Sequence, residues 1–394
     1  MPRKQRFVWH RGGNMAEFSI TKSRYKITGG LVCAVAGAAL ASAGLGVAPP
    51  ANASCASFFG IGNSADCTST LFSIALAIGP GASAHSAGLL GASFAVGNGA
   101  SASTSNALTL ASAVGTNASA GAHGLFGIAL SLGGAANKVE AGTASSILTL
   151  AANFFGSNNT VSSQGGFANR AISLGGNGNT VTTQGSSFNF ARNILGSDNK
   201  VTTTGGYGNA AQNLFGDGNT VNQQGGEGNT ATNLLGSGNA VSTTGGYGNV
   251  ARNRFGNGNS VATQGGSLNL ASNLVGTGNT VTARGGFFNG ARNIGGNSNT
   301  LTVGGPGSNL NLVVNVGGSS STVSAGGPGS FNGGYNFFGS NNTVAAGPGP
   351  LAIAAAVLKD LQTVTKTKPG IAINGFRVGD AAVTAPSTKN SPAR

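Results

Sequence analysis

Apolar residues return along this chain at fixed intervals, first every six residues and later every 20. Between residues 72 and 137 the shorter rule places Phe72, Ile78, Ala84, Leu90, Val96, Ala102, Leu108, Val114, Ala120, Phe126 and Leu132 in phase. The same residues sort into three columns spaced by 18: Ile78 to Leu132, Ala84 to Ala120, and Leu90 to Phe126. Three hexads per turn predict a three-sided prism with one apolar residue entering from each wall.

From residue 150 the coil lengthens to 20 residues and splits into two near-equal halves, G-x-G-N-x-V and G-x-x-N-x-A-x-N. One Asn column runs from Asn159 to Asn299, with Val161 to Val281 two residues later. A second runs from Asn169 to Asn289, with Ala171 to Ala291 two residues later, and a third from Asn193 to Asn293. Fixed periods of this kind mark a solenoid. Disorder, the competing reading for a chain with 70 Gly, gives no reason for Val and Ala to hold their slots. Period-two alternation puts Asn209, Ala211, Asn213 and Phe215 on one inner face. Asn buried at a corner predicts a ladder along the axis, each carboxamide satisfying backbone in the coil above or below. Gly pairs such as Gly205 with Gly206 supply the positive φ of tight corners.

One marker Gly per coil predicts about 15 coils, or roughly 70 Å of rod at ~4.8 Å per layer. Regularity falters after Gly296, where Pro306, Pro328, Pro348 and Pro350 interrupt the coils, and residues 351–376 read as a cap. The expected organisation is a leader and signal peptide (1–53), a disulfide-bearing cap (54–71), a hexapeptide-like β-helix (72–149), a 20-residue-repeat solenoid (150–346), a C-terminal cap (347–377) and a disordered tail (378–394).

The formal charge of +13 changes this picture little. Seven of the 21 basic residues and one of the 8 acids lie before Ala53, so the remainder carries about +7, thinly spread, as solubility requires. No basic cluster resembles a nucleic-acid footprint. Lys22, Arg24 and Lys26 lead an apolar stretch of small residues closing on Ala51, Asn52 and Ala53, an A-x-A site that would leave Ser54 as the mature N-terminus. The stretch is long enough to span a bilayer, but its composition and ending favour cleavage, after which no membrane span remains. Met15 offers an alternative start. Asn52 stands where a lipoprotein box before Cys55 would want an aliphatic residue. Cys33 leaves with the signal, so Cys55 and Cys67 predict one disulfide in an exported chain, worth roughly 3 kcal/mol for so short a loop.

The hexad section, with AIGPGASA, AVGNGASA and AVGTNASA at its turns, resembles the left-handed hexapeptide β-helix. It resembles the heads of trimeric autotransporter adhesins more loosely, because its coil is longer. The Gly/Asn-rich body closes with Pro350–Ala354 (PLAIA) and Pro369–Gly375 (PGIAING), and so resembles exported mycobacterial proteins of unknown activity. The Gly-rich PE family is a poorer match, since no PE domain precedes the repeats. These resemblances imply an all-β parallel β-solenoid, a left-handed prism of 18-residue coils running into 20-residue Asn-laddered coils. They also imply a secreted or cell-envelope location in a bacterium, and they supply no activity.

Candidate chemistry is sparse. GDGNTV (Gly216 to Val221) is similar to a calcium-binding nonapeptide, but its ligand slot holds Asn in every coil, and neutral amides do not replace stacked carboxylates around a hard cation. His85 and His123 sit at slots filled by small residues in neighbouring coils, which argues against an acyltransferase. Asp198, Asp217 and Glu227 occupy different slots, so they lack the convergence glycan cleavage needs. No Ser, His and Asp share a wall as nucleophilic catalysis would require. Thr-x-Thr steps at Thr180, Thr280 and Thr300 suggest an ice plane, which Lys200, Ala240 and Ala262 interrupt. The expectation is therefore no catalytic residue, no metal and no cofactor.

One outward pattern remains. The residue after the Gly pair is aromatic at Phe167, Tyr207, Tyr247 and Phe287, with Ser187, Glu227 and Ser267 between them. Alternate coils space these rings about 10 Å apart along one edge, suited to stacking on an extended glycan, with Arg170, Arg192, Arg252 and Arg292 nearby. The alternative is a duplicated 40-residue unit whose rings pack over corner glycines. The sequence thus reads as a non-enzymatic structural or adhesive protein, with envelope or host polysaccharide or matrix as partner. A secreted enzyme or binder acting on envelope polysaccharide is the principal alternative, and a secreted immunomodulatory repeat protein a third.

Overall fold

The computed structural model describes residues 54–379. The expected leader, signal peptide and alternative start, and the tail beyond Gly379, lie outside the described residues. The chain forms a parallel β-solenoid of 35 strands in two sheets, of 19 and 16 strands. A single coil shows the plan. Thr220–Gln224 lies in the 16-strand sheet, a glycine-pair corner (225–229) follows, Thr230–Asn233 joins the 19-strand sheet, and a second corner (234–239) returns the chain. The next coil stacks in register, Val221 pairing with Val241 and Ala231 with Ala251. Side chains alternate in and out along each strand, so Val221 and Ala231 are fully buried and meet in a core one residue deep on each side.

The third wall of the expected prism shrinks to one bridged residue per coil at the glycine-pair corner, such as Tyr207, Glu227 and Tyr247. This reverses part of the predicted interior. Of the three hexad columns only Ala84, Ala102 and Ala120 enter the core, whereas Ile78, Val96, Leu90, Leu108 and Phe126 are exposed. The reason is width: the facing positions are also alanines, Ala75, Ala77, Ala95, Ala111, Ala113 and Ala129, and sheets packed this closely leave no room for Leu or Phe between them. Leu90, Leu108 and Phe126 stand instead at the corner with φ of 58°, 56° and 57°. Phe215 is likewise displaced from its expected inner face, because the strand ends at Asn213 and the chain has already turned.

The three Asn columns are buried as expected and form two kinds of ladder. In the first two columns, each Asn backbone N–H donates to the Oδ1 of the Asn one coil earlier, as from Asn179 to Asn159 and from Asn229 to Asn209, both at 2.9 Å. In many of these coils the amide nitrogen also donates to a corner carbonyl, as from Asn259 to Gly276 at 2.8 Å, although Nδ2 of Asn199 and Asn219 is unpaired. The third column is amide on amide: Nδ2 of Asn213, Asn233, Asn253 and Asn273 each donates to the preceding Oδ1 at 2.8 Å. Corner glycines make room for this stacking. Gly206 has φ of 67°, and a Cβ there would sit 1.8 Å from the Gly226 carbonyl oxygen.

Both ends of the 19-strand sheet are closed by reversal of direction. Ser54–Phe58 pairs antiparallel with Ile74–Ile78, and Phe376–Val378 folds back antiparallel on Gly370–Ile373. Val378, expected in the tail, therefore belongs to the closing strand. Cys55 and Cys67 form the expected disulfide, with Cα atoms 5.6 Å apart, tying the first strand of one sheet to the first of the other. Parallel sheets otherwise end in unpaired strand edges, which natural proteins cover.

Candidate functional site

The glycine-pair corner carries a long apolar surface feature, and the second corner carries another at Leu195, Phe215, Leu235, Phe255 and Val275. Phe167, Tyr207, Tyr247 and Phe287 all stand exposed on the bridged line, from 37% for Phe167 to 58% for Tyr247. Ser187, Glu227 and Ser267 alternate with them in the same line. The rings are not isolated platforms. Phe188, one residue past the line in the intervening coil, packs edge-to-face on both Phe167 and Tyr207 at 5.3 Å, and Phe288 meets Phe287 at 4.4 Å. The gaps between alternate rings are thus partly filled by the next slot, which reads Phe188, Leu268 and Phe288 where the aromatic line has Ser or Phe. That slot takes positive φ at all three positions, 58°, 56° and 55°. Bulky residues persisting at a conformation that favours Gly were the signal in the sequence for this second row.

The stripe continues beyond the 20-residue coils. Leu89, Leu125, Ile147 and Leu148 are exposed along the same corner toward the N-terminus, and Leu310, Phe331 and Leu351 toward the C-terminus. Leu89, Leu125 and Ile147 line an open recess of about 460 Å³, with Asn106 and Ser145 on its walls. Two opposed sheets with side chains that are mostly Ala, Val, Thr and Asn leave little interior volume for Phe or Leu, and Leu301 is the one Leu or Phe fully buried among the described residues. The corners are where the chain can carry them, at the cost of exposing them to water.

The arginines expected beside the rings lie on the outer face of the 19-strand sheet, in register with one another at Arg252, Ser272 and Arg292. Arg170 stacks on Phe190 at 5.7 Å and so is engaged on that face. The other polar candidates disperse. His85 shares a hydrogen bond with Thr68 at 2.9 Å and His123 with Ser105 at 2.7 Å, two separate contacts. Asp217 accepts from the Ser197 backbone N–H at 2.7 Å. It belongs to a fourth ladder, exposed at the second corner, in which a Ser, Asn or Asp side chain accepts a backbone N–H from the preceding coil. Asn177, Ser197, Ser237, Asn257 and Asn297 do the same. The signal for this ladder in the sequence is the restriction of its slot to short hydrogen-bonding side chains, Asn177, Ser197, Asp217, Ser237, Asn257, Thr277 and Asn297. Glu227 stays on the aromatic line, apart from both aspartates.

Among the described residues no group of three or more His, Cys, Asp or Glu side chains could hold a metal ion, and no helix is long and apolar enough to cross a membrane. No protein-family model matches the chain, and no curated protein is significantly similar to it.

Proposed function

We propose that the chain is a non-enzymatic structural or adhesive rod of the bacterial cell exterior, working through the long apolar edge of its glycine-pair corner. The carrying observation is that edge, a run of half-exposed Leu, Ile, Phe and Tyr side chains from Leu89 to Leu351; a second exposed apolar row, Leu195, Phe215, Leu235, Phe255 and Val275, follows the opposite corner. Soluble monomers rarely leave a contiguous apolar patch of more than about 300–600 Å² in water. The disulfide at the first coil suits an oxidising compartment, and the expected signal peptide suits export. Polar side chains with catalytic potential are spent on ladders or stand apart from one another, which supports a role in contact over turnover.

A second reading, capture of an extended glycan, is favoured by the ring spacing around Tyr207 and Tyr247. There the rings stand 52% and 58% exposed, Tyr207 with Phe188 packed on one side only, and Glu227 lies between them to accept hydroxyl hydrogen bonds. The test is binding of the chain to a panel of envelope and host-matrix polysaccharides beside the fourfold variant F167A/Y207A/Y247A/F287A. The structural reading predicts no release of reducing ends by either protein. Binding that disappears in the variant while its β-type circular dichroism is kept assigns the edge to glycan. Reducing-end release would replace both readings with a polysaccharide-acting enzyme.

A further inference from the structure

The bridged line at the glycine-pair corner reads the same in both directions about Glu227: Phe167, Ser187, Tyr207, Glu227, Tyr247, Ser267, Phe287. The adjoining row follows in part, with Gly208 opposite Gly248, Phe188 opposite Leu268 and Leu148 opposite Leu310, while Ala168 stands opposite Phe288. An order that repeats with a period would fit a partner of any kind. An order that reverses about a centre fits a partner presenting the same line in the opposite direction. That is the requirement of a two-fold interface, where residue i of one copy meets residue j of the other and j meets i.

We infer that the edge pairs with a second copy of this chain, the two solenoids antiparallel and the two-fold axis passing through the coil of Glu227. Tyr207 then faces Tyr247 of the other copy, Ser187 faces Ser267, and Phe167 faces Phe287. The inference rests on the reading of this corner as a contact surface and names its occupant. Area supports it. Nine large side chains from Leu148 to Leu310 stand along this stretch, most of them about half exposed, and at roughly 90 Å² each they offer about 800 Å² per copy, what one partner contributes to a standard specific interface. Spacing supports it as well, since only another solenoid presents side chains at the same ~4.8 Å layer interval along its whole length.

The arrangement places two like charges together, Glu227 against Glu227, with tyrosines on either side. Like charges directly opposed weaken pairing. The edge is thus built to associate without locking.

Sedimentation of the full chain across a concentration series, with Glu227 and with E227Q, reads the affinity. The expected result is a monomer–dimer equilibrium that E227Q tightens about tenfold, the equivalent of ~1.4 kcal/mol. E227R, mixed with the Glu227 chain, should form mixed dimers in preference to either parent. Direction is read by cysteine pairing in a C33S background. F167C mixed with F287C should cross-link between chains, and each alone should not, because the positions 167 of the two copies lie at opposite ends of the interface. Monomers throughout, with native circular dichroism, overturn the inference. So does cross-linking of F167C with itself, which would mean parallel pairing. If no dimer forms yet the fourfold alanine variant loses a bound polysaccharide, the contact edge stands and its assignment to a second copy fails.

Discussion

Coils 72–137 and coils 150–300 share one frame and fill it differently. Strand registers run unbroken from one to the other, Ala113 pairing with Ser131, Ser131 with Asn153, Asn153 with Ser173 and Ser173 with Asn193. The column that is Ala77, Ala95 and Ala113 in the short coils becomes the amide ladder in the long ones. A second column changes in the same way, from buried Ala82, Ala100 and Ala118 to Asn137 and Asn159. The two residues gained per coil go into the second corner, which runs over 97–100 in a short coil and 174–179 in a long one. A wider coil has room for a carboxamide, and a carboxamide bonds to the coil above and below, which a methyl group cannot do. Alanine coils are held by backbone ladders, close packing and scattered Ser, Thr and His contacts such as Ser86 with Thr104 at 2.8 Å; asparagine coils add a directional bond for each column in each layer.

That contrast can be broken deliberately. The largest effect is expected from Asn253→Asp, which buries a carboxylate with acceptors where Asn253 donates to Asn233 at 2.8 Å. The loss is about 4 kcal/mol at neutral pH, read by denaturant unfolding. Burial raises the introduced carboxyl's folded-state pKa, so the deficit shrinks as pH falls through that value and the group takes up its proton. Removing the disulfide with C55S and C67S should cost roughly 3 kcal/mol and loosen the first coils before the Asn-laddered ones, visible as early proteolytic cleavage near the N-terminal cap. Ala113→Asn places a ladder residue in the narrow coil and should cost about 2 kcal/mol by overpacking, although the same residue stabilises the wide coils. The smallest effect is a gain. Asn153 is buried at the junction with neither amide atom paired, between Ser131 and Ser173, whose hydroxyls are unpaired too. Ser173→Asn would carry the ladder from Asn193 to Asn153 and should raise stability by about 1 kcal/mol in thermal melts. A loss there would show that ladder bonds do not set the stability of these coils.

The long coils were legible to the level of single hydrogen bonds because Asn, Val and Gly each have one physical reason to recur at a corner slot. The short coils were legible in period and less so in orientation. Ile78 and Val96 looked like core because they are the large apolar residues in phase, but the core between two close sheets belongs to the small ones, and Ala75 and Ala77 carried that information. At the contact edge, Phe167, Tyr207, Tyr247 and Phe287 stood out by spacing. Phe188 and Phe288 did not, since whether a residue one slot away turns toward or away from its neighbour is decided by corner φ. Cys55 and Cys67 pair, as expected once Cys33 is set aside with the leader.

Asn249 joins the two halves of the account. It lies two residues past Tyr247, donates to the Gly245 carbonyl at 3.0 Å, and accepts the Asn269 backbone N–H at 2.9 Å. If buried amides hold the corners that present the edge, then Asn249→Ala, at an expected cost of about 2–3 kcal/mol, should leave the Asn269 amide and the corner over 245–248 open to hydrogen exchange. Amide hydrogen exchange of this variant, resolved coil by coil, is the most direct measurement. The account predicts lost protection centred on that corner and its two neighbouring coils, with the alanine coils of residues 72–137 unchanged. Unaltered protection at Asn269 and across 245–248 would contradict it, and would leave the backbone ladders as the sole support of the edge.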